Sequence, residues 1–354
     1  MNNLQKTQNL CRELELDAIL LEDKVNRHYV TGLRTSSGLA LITPDAAFFT
    51  TDSRYIEIAE KTLKDFTVEM RTQERKGIAI VKDWLGELKR VGFEDTLRTV
   101  KSHEKWQKDL PDIEWISVSE GISKLRAVKE DWEIERLTAA QRVTEKVFLE
   151  IQGVIKVGMT ERQVAAELIY RLLKHGADKA SFDPIVVSGP NSSLPHGEPG
   201  DRIIRDGDFV TMDFGCSING YCSDMTRTVA MGHATDEMRA VYAVVLQSQL
   251  AGIAAARAGV KGKDIHNAAE KVIEDAGYGK YFGHGFGHGV GMEVHEDYNA
   301  APSEERVLEA GMVISAEPGI YLPDKFGVRI EDVIVLTENG SENLMAIDKE
   351  LIIL

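Results

Sequence analysis

The spacing of hydrophobic and polar positions changes repeatedly along the first third of the chain. Leucines at helical spacing predict an amphipathic helix over residues 2–15, and helical patterns recur at 55–63 and 77–89. Short apolar runs separate these helices, and each predicts a strand. The strand candidates are 17–21, 39–43, 46–50, 66–70 and 91–93. This mixture predicts a small N-terminal α/β domain, which we bound at residues 1–122.

The second part of the chain, residues 123–354, shows longer helical patterns that precede candidate hairpins. Helices are predicted at 130–151 and from Thr160 to about 175, with a capping box at the start of the second. Two more are predicted at 235–258 and 263–276. A hairpin follows each pair of helices, so the pattern indicates two helix–helix–hairpin halves around a pseudo-twofold axis. The predicted fold class is α/β (α+β).

Composition limits the partners of such a protein. A chain of 354 residues is too long for one ordinary core, which agrees with two domains. The net charge of −15 argues against nucleic acid or an anionic membrane as a partner. No apolar run approaches the length of a spanning helix, and the N-terminus is not signal-like. Three cysteines fit a reducing compartment, so we expect a cytoplasmic protein.

Two aspartates lie on the first predicted hairpin, whose turn is Asn219-Gly220. With that turn, Asp213 faces Thr226 and lies diagonal to Asp224, roughly 7–8 Å away at Cα. Two carboxylates on a largely apolar hairpin repel each other and are costly to bury, and a divalent cation between them removes both penalties. An exposed sheet face is the disfavoured alternative. Glu317 and Glu331 hold similar positions in the second predicted hairpin.

Histidines and glycines alternate in the stretch 284–296, which reads HGFGHGVGMEVHE. Imidazole is a common metal ligand, and glycine lets the backbone pass close to a bound group. The alternative is a flexible, solvated loop. Together with His288, the four hairpin carboxylates suit two divalent ions, with Mn²⁺ favoured and Co²⁺, Fe²⁺ or Zn²⁺ possible.

These motifs resemble the pita-bread metallopeptidases, and within them the Xaa-Pro peptidases prolidase and aminopeptidase P. The resemblance spans nearly the whole chain and implies a creatinase-like N-terminal domain over 1–122 and a pita-bread catalytic domain over 123–354. One departure is Phe286, where the family usually has a smaller residue. This substitution predicts a narrower substrate mouth. The motifs that carry the resemblance are the run at 284–296, Pro195-His196-Gly197, the Asp213 and Asp224 hairpin, Ala316-Glu317-Pro318-Gly319 and the stretch 328–332.

The resemblance also implies roles for individual residues. The implied metal ligands are Asp213, Asp224, His288, Glu317 and Glu331. Glu317 is further expected to shuttle a proton, and His295 to stabilise the tetrahedral oxyanion. His196 and His284 are expected to act on the substrate side of the catalytic site, and Arg329 to hold a ligand carboxylate or the peptide. For these last three residues, a structural hydrogen-bonding role is the alternative.

The implied activity is hydrolysis of the Xaa-Pro bond at the N-terminus of short peptides by a homodimer. Dipeptides are the favoured substrates, because a dipeptidase must recognise a free carboxylate and Arg329 suits that contact. An aminopeptidase P acting on longer peptides is the alternative. Methionine aminopeptidase, creatinase and a non-catalytic binding protein of the same fold are the other classes, and each is disfavoured because the full set of five ligands and the extra histidine are present.

Overall fold

The chain forms two compact units, Met1–Arg126 and Ala127–Leu354. All 354 residues are described by the computed structural model. The predicted boundary after residue 122 lies inside a helix that covers Ser119–Ala127.

The first unit is built around a six-stranded mixed sheet, which confirms the predicted α/β class. Its helices are α1 (Asn3–Glu13), α2 (Lys24–Thr31), α3 (Ile56–Thr62), α4 (Gly77–Leu85), α5 (Val100–Asp109) and α6 (Ser119–Ala127). Its strands are β1 (Ala18–Leu21), β2 (Leu39–Ile42), β3 (Ala47–Thr51), β4 (Thr67–Met70), β5 (Arg90–Phe93) and β6 (Glu114–Ser117). The sheet order is β4-β3-β2-β1-β5-β6, and the central β1 is buried along its whole length.

Helices α2 and α5 lie in segments where the hydrophobic pattern predicted no helix. Helix α2 begins where the side chain of Asp23 accepts the amides of Val25 and Asn26, and it ends at Gly32, whose φ is +69°. Thr99 caps α5 in the same way. Side-chain caps and a terminal glycine therefore define short helices whose apolar positions are too few to reveal them.

The second unit carries the four predicted long helices, α7 (Asp131–Gln152), α8 (Glu161–Lys174), α9 (Asp236–Ala255) and α10 (Gly262–Asp275), with two short 3₁₀ helices at Gly189–Ser193 and Gly279–Tyr281. The strands of its first half are β7 (Lys179–Ala180), β8 (Ile185–Ser188), β9 (Phe209–Asp213), β10 (Cys216–Ile218), β11 (Tyr221–Cys222) and β12 (Thr226–Ala230). Those of its second half are β13 (Gly287–Gly289), β14 (Glu296–Ala300), β15 (Val313–Ala316), β16 (Gly319–Leu322), β17 (Phe326–Arg329), β18 (Asp332–Thr337) and β19 (Gly340–Asn343).

Each predicted hairpin consists of two separate pairs of strands, and the acidic residues lie near the point where one pair gives way to the other. In the first, Asn219 and Gly220 both have positive φ and close β10 onto β11, while β9 pairs with β12. The predicted pairing of Asp213 with Thr226 is confirmed. In the second, β16 pairs with β17, and β15 pairs with β18. Because the order helix, helix, divided hairpin occurs twice, the predicted duplication is confirmed.

The continuous first hairpin that we predicted is nevertheless wrong in one respect. Strands β10 and β11 belong to a different sheet from β9 and β12. The chain changes sheet at Gly215, where a Cβ would lie 1.9 Å from the carbonyl oxygen of Ser223. The missing side chain therefore allows the two strands to cross closely.

Helix α9 is long and apolar enough to cross a membrane by length and composition alone. We expected no segment long and apolar enough to span a membrane, and by length and composition this expectation is wrong. The helix packs in the core of the second unit, where Val241 and Val245 are fully buried and Gln249 donates to the carbonyls of Ala316 and Ile330. A buried core helix can have the same length and apolar composition, so these two properties alone are weak evidence for a membrane span.

Candidate metal and active site

Three predicted ligands form one compact group in the second unit. The ligand atoms of Asp224, His288 and Glu331 all lie within 4.8 Å of one another. The Nε2 atom of His288 is 3.6 Å from Asp224 Oδ2 and 3.2 Å from Glu317 Oε1. These four residues and Asp213 line the same cavity, whose volume is about 450 Å³. All five predicted ligands are thus brought together, whereas the sequence separates them by up to 118 positions (331 − 213).

The backbone places these groups by close strand packing. Strand β13, which carries His288, pairs with β15, which leads into Glu317. At Gly287 a Cβ would lie 1.8 Å from the carbonyl oxygen of Ser315, so only glycine permits this approach. The hydroxyl of Ser315 donates to Glu317 Oε1 at 3.0 Å and accepts the amide of His288 at 2.9 Å. One buried serine therefore holds two of the predicted ligands.

The carboxylates of Asp213, Asp224 and Glu331 are buried and only partly hydrogen-bonded, whereas the Glu317 side chain is 18% exposed. Asp213 Oδ1, Asp224 Oδ1 and Glu331 Oε1 are buried without a hydrogen-bond partner. Burial raises the pKa of each of these three groups, and neighbouring carboxylates raise the pKa of Asp224 and Glu331 further. Burial also opposes ionisation of Glu317, but the hydrogen bond and charge of His288 outweigh it and lower the pKa of Glu317 to about 2.

A divalent cation fits this donor set. Unpaired buried carboxylate oxygens are costly, and their mutual repulsion adds to that cost. Hard or borderline divalent ions bind carboxylate oxygens together with imidazole nitrogen, which is the combination found here. The orphaned oxygens therefore support a metal site formed by the five predicted ligands.

Arg329 lies under the cluster and is almost completely buried, with 4% of its surface exposed. Its Nη2 donates to Asp213 Oδ2 at 2.7 Å, and its Nε to the hydroxyl of Thr226 at 3.1 Å. Its Nη1 donates to the hydroxyl of Tyr321 and the carbonyl of Pro195. These contacts hold Asp213 in place, so Arg329 has the structural hydrogen-bonding role that was the alternative to substrate binding. Its predicted contact with a substrate carboxylate stays a prediction.

Sequence reasoning missed Thr226, Ser315 and Tyr321. The hydroxyl of Thr226 donates to Glu331 Oε2 at 2.7 Å, so Thr226 connects Glu331 to the Arg329–Asp213 pair. A signal for Thr226 was present, because the turn register already places it opposite Asp213. Ser315 and Tyr321 had no such signal, since their role depends on contacts between separate strands.

The three histidines that were predicted to act beside the metal ligands, His196, His284 and His295, all line the cavity. His284 is hydrogen-bonded through Nδ1 to the carbonyl of Gly285 and through Nε2 to the hydroxyl of Tyr321. Burial lowers the pKa of both His284 and His295, so each favours the neutral ring. The ring centroid of His295 is 4.1 Å from that of His288. His196 is exposed at the cavity, in the loop that follows the 3₁₀ helix at Gly189–Ser193.

Phe286 does not narrow the cavity, so that expectation is wrong. Its side chain is fully buried in the core with Ala256 and Ile265, and it is not among the residues that line the cavity. The ring lies against Gly252, where a Cβ would come within 2.3 Å of it. Phe286 points away from the site, and a glycine on α9 provides the space for its ring.

We expect Mn²⁺ to raise the melting temperature by an amount that increases with pH. Asp213, Asp224 and Glu331 have raised folded-state pKa values, so the folded metal-free protein retains protons that the unfolded chain releases above about pH 4. Its stability therefore falls as pH rises through the raised pKa values, and bound cations replace the lost protons. Thermal unfolding at pH 5, 6.5 and 8, with Mn²⁺ or with chelator, measures this difference. A stabilisation that stays constant or shrinks with pH would contradict the expectation.

Comparisons with known proteins agree with this geometry. The model of metallopeptidase family M24 matches residues 135–338, and that of the creatinase/prolidase N-terminal domain matches residues 3–128. An uncharacterized peptidase of Bacillus subtilis is 42% identical over 352 residues, which cover 99% of both chains. The solved Xaa-Pro dipeptidase from Bacillus anthracis is 38% identical with a TM-score of 0.94, covering 99% of both chains. An X-Pro aminopeptidase from Thermotoga maritima is 34% identical with a TM-score of 0.92, covering 97% of this chain and 99% of that one.

Proposed function

Because this chain belongs to metallopeptidase family M24, we propose that it hydrolyses the Xaa-Pro bond at the N-terminus of short peptides, with Xaa-Pro dipeptides preferred. The observation that carries the proposal is the cluster of four carboxylates and His288, in which three buried carboxylate oxygens have no hydrogen-bond partner. Since none of the five ligand positions is lost, a non-catalytic binding protein is disfavoured. The similar Xaa-Pro dipeptidase from Bacillus anthracis supports the substrate class.

We further propose that the cofactor is a pair of divalent ions, with Mn²⁺ preferred over Co²⁺, Fe²⁺ or Zn²⁺. Asp213, Asp224, His288, Glu317 and Glu331 would hold them, and the four negative charges balance two divalent cations. When bound, such ions polarise the scissile carbonyl and make water a nucleophile near neutral pH.

Side chains in and around the cluster supply the proton transfers and orient the substrate. Glu317 accepts a proton from the attacking water and returns it to the prolyl nitrogen as the carbon–nitrogen bond breaks. His295 donates a hydrogen bond to the oxyanion that forms on the carbonyl oxygen. His196 and His284 contact the substrate from the cavity wall.

An apolar part of the cavity wall suits a proline ring. Phe182, Ile185 and Val294 line the cavity together with the acidic cluster. Apolar walls with a few converging polar groups are typical of small-ligand sites, and a cavity of about 450 Å³ is within their usual range. This combination favours a short peptide with an apolar residue next to the scissile bond.

The alternative function, an Xaa-Pro aminopeptidase for longer peptides, is favoured by one observation. Arg329 is the only arginine or lysine that lines the cavity, and each of its nitrogens donates to protein oxygens. A free carboxylate would then have no unpaired arginine or lysine to bind it and would depend on donors such as His196 and His284. The similar X-Pro aminopeptidase from Thermotoga maritima is consistent with this alternative.

Alanyl-proline and its C-terminal amide separate the two functions. We expect kcat/KM to be about 10–100-fold higher for the dipeptide, because a hydrogen bond to a charged group contributes roughly 1.5–3 kcal/mol. Alanyl-alanine serves as the control for the proline requirement and is expected to react much more slowly. Release of proline or prolinamide by chromatography gives both rates. Equal or faster cleavage of the amide would assign the aminopeptidase function instead.

The same proposal includes a cytoplasmic location and a homodimer. Cys11, Cys216 and Cys222 are buried and unpaired, which is typical of a protein from a reducing compartment. The dimer is supported by the family resemblance. Sedimentation at the mass of a single 39.3 kDa chain would contradict it.

A further inference from the structure

The carboxylate of Glu296 lies inside the loop that carries His295. Glu296 directly follows His295, but its side chain turns back into the loop and is only 5% exposed. Its Oε1 accepts the amides of Met292 at 2.9 Å and Glu293 at 3.4 Å. The loop 290–296 is therefore folded around one buried carboxylate.

Gly291 is the residue that makes this arrangement possible. A Cβ at Gly291 would lie 2.4 Å from Glu296 Oε2 and 2.6 Å from Oε1. The carbonyl of Gly291 also accepts the amide of Cys222 at 2.8 Å, which ties the loop to β11. Glycine is therefore required at position 291 of the histidine-rich stretch, because the Glu296 carboxylate of the same loop approaches the backbone there.

Lys129 neutralises this carboxylate from a separate segment. Its Nζ is 3.0 Å from Glu296 Oε2, and its side chain is only 2% exposed. The backbone amide of Lys129 donates to the carbonyl of Gly311 at 2.9 Å, just before β15. A buried ion pair has a large desolvation cost and contributes little net stability, whereas removal of one partner leaves a buried uncompensated charge. A role in positioning the two segments therefore explains this ion pair better than a contribution to the free energy of unfolding.

We propose that the Lys129–Glu296 ion pair is the positioning element that sets His295 over the acidic cluster. It connects the loop of His295 to the segment that leads through β15 to Glu317. Val294 and His295 line the cavity, and the His295 ring lies 4.1 Å from the ring of His288. The proposal rests on the proposed function, in which His295 donates to the oxyanion.

Kinetics of Lys129→Met test this role. We expect kcat for alanyl-proline to fall by about 10–100-fold, with KM and metal content close to wild type, because a small displacement of a catalytic group has effects of this size. In a His295→Ala background the same substitution should cause no further loss. Arg98→Met is the matched control, since it removes a similarly buried cation from an ion pair with Glu22 in the first unit. Multiplicative losses in the double variant, or an equal loss of kcat in Arg98→Met, would overturn the proposal.

Hydrogen exchange of the loop gives a readout that needs no substrate. In Lys129→Met the amides of Met292 and Glu293 should exchange about tenfold faster, because their acceptor loses its anchor. The double variant Lys129→Met/Glu296→Gln removes both charges and should return exchange and kcat toward wild type. Unchanged exchange in Lys129→Met would overturn the proposal. Faster exchange in a protein whose wild type cleaves no Xaa-Pro peptide would support the anchoring role and refute the substrate assignment instead.

Discussion

Glu331→Gln is expected to abolish metal-dependent hydrolysis while the protein stays folded. Glutamine has the same shape, and its amide oxygen still accepts the hydrogen bond that Thr226 donates to Glu331 Oε2. The substitution removes one of four negative charges and one unpartnered buried oxygen of the cluster. Metal occupancy should therefore fall, and kcat/KM should drop by about 10³-fold or more, because a bound cation supplies several kcal/mol of transition-state stabilisation.

Three measurements on this variant decide the outcome. Metal content and kcat/KM for alanyl-proline should fall together. The melting temperature in chelator should equal that of the wild type where Glu331 is protonated and exceed it at higher pH, where the substitution removes a repulsive charge. Glu305→Gln is the matched control, since Glu305 pairs with Lys261 and Lys263 on the surface. Full metal content and normal activity in Glu331→Gln would refute the ligand assignment.

His295→Ala is expected to lower kcat by about 10²–10³-fold, the usual loss for one oxyanion donor. Unlike His288, whose Nε2 is 3.2 Å from Glu317 Oε1, His295 does not belong to the compact group of ligand atoms. The variant should therefore retain its metal, and KM should change little because the interaction forms in the transition state.

Comparison with His288→Ala separates the two histidines. Both variants should lose activity, but only His288→Ala should lose metal affinity. Metal analysis after equilibration with a chelating buffer of defined Mn²⁺ activity measures this directly. If His295→Ala lost metal to the same extent as His288→Ala, the two roles would have to be exchanged.

Much of this site could be predicted from local sequence, because its main constraints are local. The Asn219-Gly220 turn determines the register that pairs Asp213 with Thr226, and that pairing is present in the structure. The alternation of histidines and glycines at 284–296 is likewise visible in the sequence, although the contact that requires Gly287, its approach to Ser315, joins separate strands.

The remaining features depend on contacts between segments distant in sequence. The hydrogen bonds from the nitrogens of Arg329 to Asp213, Thr226 and Tyr321 could not be predicted from local sequence, whereas its expected contact with a substrate carboxylate stays a prediction. Phe286 lies in the core because α9 offers Gly252 opposite it, and no local pattern indicates that partner. Local patterns predict which residues are functional, and long-range packing determines the direction in which each side chain points.

Proline release from alanyl-proline, measured with the purified protein first in excess chelator and then after titration with Mn²⁺, tests the central claim most directly. We predict no hydrolysis in chelator and recovery that saturates at two Mn²⁺ per chain, because the four carboxylates balance two divalent charges. Hydrolysis that persists in chelator, or a Mn²⁺-saturated protein that releases no proline, would contradict the assignment of a dinuclear Xaa-Pro peptidase.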